Sequence, residues 1–180
     1  KKNFLKKYNK YNNVNVIGMG GSSLGSKAIY NFLNYKIKKK FNFFENLNLK
    51  KNNKKKSLNL IISKSGNTLE TISNSNILIK KKDKNLFITE NRSSYINNLA
   101  KKLKSEIITH NNFIGGRYSV LSEVGMLPAE LIGLKENKFK RLNYLIKNKK
   151  FINALTMNVS NTLNLINRGK FNSIILNYDE

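Results

Sequence analysis

Short apolar runs alternate with amphipathic stretches along most of this chain. Val14–Ile17, Phe41–Phe44, Leu58–Ile62 and Leu86–Thr89 are runs of branched, aliphatic or aromatic residues that predict strands buried on both faces, and Glu106–Thr109 predicts a fifth. Between them, Leu24–Asn34 carries Leu24, Ala28, Ile29, Phe32 and Leu33 at helical spacing. Thr68–Ile79 is expected to turn Leu69, Ile72, Ile77 and Leu78 inward, and Ser93–Leu103 predicts a further helix. Ser119–Leu131 predicts an apolar helix that Pro128 kinks or starts early. Two amphipathic helices, Glu136–Asn148 and Phe151–Asn167, follow, and Ser173–Asn177 resembles one more strand. The basic, Asn-rich stretch Lys50–Lys56 reads as a loop. Strands alternating with helices predict an α/β fold: a doubly wound, mainly five-stranded parallel sheet flanked by helices, with extra C-terminal helices. Ligands of such sheets bind beyond the carboxyl ends of the strands.

Composition narrows the picture. Hydrophobic residues make up 39% and aromatics 10% of 180 residues, enough for a real core. The chain has no cysteine, so disulfides and thiolate metal sites are excluded, and a reducing cytoplasmic setting fits. No apolar run approaches the roughly 18 residues of a membrane span, and no membrane partner is expected. The basic start, Lys1-Lys2-Asn3-Phe4-Leu5, lacks the apolar stretch of a signal peptide, and the absence of an initial Met suggests a fragment. The net charge of +24 would ordinarily point to nucleic acid. Here the excess is nearly all lysine, and Asn and Ile are also over-used, as an A/T-rich coding sequence would give. Only Arg92, Arg117, Arg141 and Arg168 occur, widely scattered, whereas a nucleic-acid groove should add arginines and exposed aromatics. No nucleic-acid partner is expected; the lysines read as a solvated surface.

Three turns carry the candidate chemistry. Gly18-Met19-Gly20-Gly21-Ser22-Ser23-Leu24-Gly25 lies between a strand and a helix, where glycines admit close approach of an anionic ligand. A dinucleotide fingerprint would need a third glycine at Ser23 and an acid earlier than Glu45, so a plain tight turn or another anion competes with it. Ser63-Lys64-Ser65-Gly66-Asn67-Thr68 brings three hydroxyls and an ammonium ahead of a helix start. That suits a phosphate, with ordinary N-capping by Ser65 or Thr68 as the alternative. It is not a Walker loop. Phe113-Ile114-Gly115-Gly116-Arg117-Tyr118-Ser119 places a lone guanidinium after two glycines, suited to a developing oxyanion or, more plainly, to a surface ion pair.

Taken together, GMGGSSLG, SKSGNTLET and IGGRYSVLSEVG resemble, in order and rough spacing, the glucose-6-phosphate isomerase (phosphoglucose isomerase) family, specifically its first sugar-isomerase (SIS) domain. The resemblance runs from about Val14 to the end of the chain. It implies reversible aldose–ketose isomerisation of glucose 6-phosphate and fructose 6-phosphate through an enediolate, with no metal or organic cofactor required. It implies that Ser63, Ser65 and Thr68, with Lys64 beside them, hold the phosphate. Gly21 and Ser22 contact the sugar, and Gly116 and Arg117 stand near the reacting carbons, Arg117 as the catalytic cation. The family's general base and ring-opening histidine belong to later motifs that are absent here. The stretch alone is therefore expected to be inactive, and the full-length parent to be a homodimer. On this resemblance, residues 1–13 end a helical segment, 14–134 form the SIS domain, 135–170 are linking helices, and 171–180 open a second SIS domain. His110 matches no catalytic position and is expected to be structural or solvent-exposed; Glu90, Glu106, Glu123 and Glu130 match no base. Glu123 departs from the small residue usual at its place. A non-catalytic SIS module that binds a phosphosugar is the alternative; it would have no use for the Gly-Gly-Arg turn.

Overall fold

A computed structural model describes residues 7–47, 56–80 and 83–172. The chain divides into two compact units, residues 1–136 and 137–180.

The first unit is built on five parallel strands. They are β1 (Asn13–Ile17), β2 (Lys40–Phe44), β3 (Ser57–Ile62), β4 (Lys84–Thr89) and β5 (Glu106–Thr109), in spatial order β2-β1-β3-β4-β5. Each begins within two residues of its expected start. Helices α1 (Leu24–Leu33), α2 (Leu69–Leu78), α3 (Tyr95–Lys102) and α4 (Glu123–Ile132) join or follow them. Strand order reverses at β1 and β3, so the crevice for a ligand opens between the turns that leave these two strands.

Alternation along each strand gives the sheet two apolar faces. Val14, Val16, Leu58, Leu60, Ile62, Leu86 and Ile88 pack with Val124, Leu127 and Leu131 of α4 and with Tyr8 and Tyr11 ahead of β1. Ile17, Phe44, Ile61 and Phe87 pack with Leu78 of α2 and with Ile96 and Ala100 of α3. The second face also carries a row of amides. Asn42, Asn15, Asn59 and Asn85 occupy matching register positions on four adjacent strands. Asn42 Nδ2 donates to Asn15 Oδ1 at 3.0 Å, Asn15 Nδ2 to Asn59 Oδ1 at 2.8 Å, and Asn59 Nδ2 to Asn85 Oδ1 at 2.9 Å. At the strand starts, Glu106 accepts from Lys7 Nζ at 2.6 Å and from the Tyr8 hydroxyl. Burial works against ionisation of Glu106, but these two donors and the nearby Lys84 charge outweigh it and lower its pKa; burial and the same carboxylate push Tyr8 up.

Several helix expectations need correction. Phe32 of α1 is 79% exposed and Leu69 of α2 is 68% exposed, while the buried positions are Ser26 of α1 and Thr71, Asn74, Ser75 and Leu78 of α2. Close packing accounts for part of this: a side chain at Gly25 would stand 2.7 Å from Val120 Cγ2, so α1 comes too near its neighbour for bulky residues. The helix expected from Ser119 starts at Glu123, because Gly116–Leu121 forms a 3-10 segment and Ser122 caps α4 by accepting from Val124 N–H at 3.3 Å. Pro128 lies inside α4, and Gly133, at φ +105, ends it in the left-handed conformation.

From Glu136, the last residue of the first unit, the single helix expected over 136–148 is divided. α5 (Glu136–Phe139), a 3-10 turn (Lys140–Leu142) and α6 (Asn143–Lys147) follow one another. Asn148 then caps α7 (Lys149–Asn167), its side chain accepting from Phe151 N–H at 3.2 Å. The strand expected over 173–177 and most of the loop over 50–56 lie outside the described residues.

Candidate functional site

The turn after β1 is one turn of 3-10 helix, Gly20–Ser22, entered through Gly20 at φ +56. Left-handed backbone there favours glycine. Gly21 faces the third turn so closely that a Cβ on it would stand 2.2 Å from Gly116 O. Ser119, 1% exposed, bridges the two: its hydroxyl lies 3.0 Å from Gly21 O and 2.7 Å from Gly116 O. Gly20, Gly21 and Leu24 of the first turn and Gly115, Gly116, Arg117 and Tyr118 of the third line a cavity of about 450 Å³. Arg117 is exposed, and no acid among the described residues pairs with it.

In the turn after β3, the hydroxyls converge. Thr68 Oγ1 lies 3.1 Å from Ser63 Oγ and 3.5 Å from Ser65 Oγ. Gly66 N–H donates to Ser63 Oγ at 3.1 Å and Asn67 N–H to Ser65 Oγ at 3.2 Å. Gly66 adopts φ +68, and a Cβ there would meet Ser94 Oγ at 2.1 Å, so this turn too requires glycine. Thr68 occupies the N-cap of α2, yet its side chain makes no capping bond; α1 likewise begins without a side-chain cap. By contrast α3, α4 and α7 are capped by Ser94, Ser122 and Asn148. Of α1 to α4, the two whose first-turn N–H groups lack a side-chain cap are the two that start at the crevice.

Lys64 is committed to protein partners. Its ammonium donates to Asn112 O at 2.6 Å and lies 3.6 Å from Glu90, which also pairs with Arg92 at 3.1 Å. Lys64 therefore ties the second turn to the start of the third. Residues 63–68 do not line the cavity that Arg117 lines, and this lysine contact is what joins the two regions. Glu45, which lies late for the acid of a dinucleotide fingerprint, accepts from Ser23 Oγ at 2.7 Å and pairs with Lys27 at 2.5 Å. Burial opposes its ionisation, but those donors win and lower its pKa.

A family model described as phosphoglucose isomerase matches residues 6–172. The chain belongs to the phosphoglucose isomerase family. It is 36% identical to the glucose-6-phosphate isomerase of Methanocaldococcus jannaschii over 97% of its own length and 48% of that protein's. It is 37% identical to that of Borreliella afzelii, over 66% of this chain and 26% of the relative. The chain thus spans about half the length, or less, of the curated relatives it matches. Among solved structures, a hypothetical protein of Thermus thermophilus superposes with a TM-score of 0.60 at 22% identity, covering 75% of this chain and 38% of that one. The tagatose-6-phosphate ketose/aldose isomerase of Escherichia coli superposes with a TM-score of 0.54 at 15% identity, covering 73% and 40%. These likenesses establish the SIS-domain fold.

Two groups that matter to this phosphoglucose isomerase domain escaped the reading of its motifs. Ser119 looked like the end of the Gly-Gly-Arg turn, and only its hydrogen bonds reveal it as the link between turns. His110, expected to be structural or solvent-exposed, is buried and bonded to Glu123. The unusual Glu123 and the lone histidine account for one another.

Proposed function

We propose that this chain supplies the phosphosugar-binding half of an isomerase that interconverts glucose 6-phosphate and fructose 6-phosphate, with residues 14–134 as the binding domain. What carries the reading is the pair of uncapped helix starts at the sheet's switch point in a member of the phosphoglucose isomerase family. The phosphate would sit at Ser63, Ser65 and Thr68, where hydroxyls and the N–H groups of α2 face an anion, while Lys64 steadies the loop. The sugar would run past Gly21 and Ser22 toward Gly116 and Arg117. Moving a proton between C1 and C2 places charge on an enediolate oxygen, and Arg117 would stabilise that charge. The base belongs to family motifs beyond those present here, so these residues bind, orient and neutralise rather than carry the proton. We extend the reading to a homodimeric, cytoplasmic enzyme.

Two results test it. In the full chain, Ser65→Ala with Thr68→Val should weaken both inorganic phosphate and fructose 6-phosphate by about tenfold or more in titration calorimetry, since bonds to a charged group contribute about 1.5–3 kcal/mol each. Unchanged affinities would remove the phosphate from this loop. Where turnover is assayed, Arg117→Lys should lower kcat by about tenfold to a hundredfold and alter KM far less, because lysine keeps the charge but loses the rigid fork that meets the transition state. A raised KM at constant kcat would make Arg117 a substrate clamp, and would favour a binding module over a catalytic domain.

A further inference from the structure

The two aromatic side chains of the third turn do little to hold it. Phe113 and Tyr118 are each 81% exposed, and between them lie Gly115 and Gly116, whose backbones are intrinsically free. Three polar anchors fix the segment instead. Lys64 holds Asn112 O, Ser119 holds Gly116 O, and His110 holds Ile114 O.

The third anchor differs from the others because it is ionisable and buried. His110 is 2% exposed and follows β5, where its backbone N–H donates to Thr89 O at 2.9 Å. Its ring lies between acceptors from two other segments. Nδ1 meets Glu123 Oε1, and Nε2 lies 3.2 Å from Ile114 O. Each ring nitrogen therefore has an oxygen within bonding distance, one from a carboxylate and one from a backbone carbonyl. Glu123 reaches the ring from the first turn of α4, where the helix dipole favours a carboxylate. Ile114 lies three residues before Arg117.

We propose that His110 and Glu123 form a positioning pair for the Gly-Gly-Arg turn: Glu123 orients the imidazole, the imidazole grips Ile114 O, and the grip sets where the Arg117 guanidinium stands. The grip is independent of the function proposed above; its consequence for sugar binding rests on that reading of Arg117.

Two near-isosteric replacements separate the grip from simple filling of space. The amide nitrogen of glutamine falls near the Nε2 position and that of asparagine near Nδ1. His110→Gln therefore keeps the bond to Ile114 O, and His110→Asn keeps only the one to Glu123. In the full chain, trypsin cleavage after Arg117 and deuterium exchange over residues 113–118 report the turn directly. His110→Asn should accelerate both by about tenfold, the loss of a buried hydrogen bond, while His110→Gln stays within about twofold of the parent. Fructose 6-phosphate affinity should fall with His110→Asn, and inorganic phosphate affinity should not. Equal behaviour of the two variants, whether both loose or both tight, overturns the proposal. A turn loosened by asparagine in a chain whose parent does not bind fructose 6-phosphate supports the grip and dismisses the role given to Arg117. Should His110→Asn not fold, Glu123→Ala at the start of α4 takes its place, and unchanged exchange over 113–118 in that variant overturns the proposal.

Discussion

Asn59→Leu is expected to destabilise the first unit by about 3–5 kcal/mol and to lower Tm by roughly 10 °C. Asn59 is 2% exposed and stands in the middle of the amide row, accepting from Asn15 and donating to Asn85. Leucine fills the space but removes one acceptor and one donor from neighbours that are themselves buried. Each buried polar group deprived of a partner costs about 1–3 kcal/mol, more than the methyl groups return. That is a large share of a total stability of about 5–15 kcal/mol. Asn42→Leu, on the edge strand β2 and half-buried, should cost about 1–2 kcal/mol, because it takes a single donor from the row, at Asn15 Oδ1, where Asn59→Leu takes two partners. Replacing all four asparagines with leucine should recover most of the stability lost at Asn59, since no broken row then remains. It should also loosen strand register, because a one-residue slip no longer breaks amide pairs. Urea unfolding of the full chain measures these effects. Equal, small losses at Asn59 and Asn42 would show that the row contributes nothing beyond its burial.

This row also marks where sequence reading reached its end. The strands were legible because a parallel sheet covered on both faces needs continuous apolar runs, and Val14–Ile17 or Leu58–Ile62 can hardly be anything else. The asparagines inside those runs were not legible. In a chain rich in Asn they looked like bias, and their meaning depends on a register that no local pattern supplies. The helices were legible in part: Leu78 is buried, and Ile72 and Ile77 pack on the second face, as expected. Periodicity rewards large apolar residues, yet α1 and α2 turn Ser26, Thr71, Asn74 and Ser75 inward and leave Phe32 and Leu69 out. At the site, the glycines, hydroxyls and Arg117 were found because turn chemistry is local. Ser119 and Lys64 were missed as connectors because their partners lie far away in sequence, 98 residues for Ser119 and Gly21 and 48 for Lys64 and Asn112; the His110–Glu123 pair, 13 residues apart, was missed because no shared helix or strand pattern links the two positions.

The apposed glycines are not equivalent, and the difference gives the sharpest test of the site. Gly21→Ala should abolish measurable fructose 6-phosphate binding, raising Kd by at least about tenfold, and should cost about 2–3 kcal/mol of stability as an overpacked contact. Its Cβ would stand 2.2 Å from Gly116 O and 2.3 Å from Gly116 C, both backbone atoms that no side-chain rotation can clear. One turn must withdraw, and withdrawal breaks the Ser119 bridge to Gly21 O and opens the cavity beside Arg117. Gly116→Ala is the control. Its Cβ would find only Gly21 Cα, at 3.8 Å, an ordinary contact, and Gly116 is not among the positive-φ glycines. It should cost well under about 1 kcal/mol and leave inorganic phosphate affinity intact, while any loss of sugar phosphate affinity stays below that of Gly21→Ala. Calorimetric titration and thermal melts of both variants decide the matter. If Gly21→Ala is as stable and binds as tightly as Gly116→Ala, the two turns are not held in contact, and the cavity they enclose is not the place where the sugar is read.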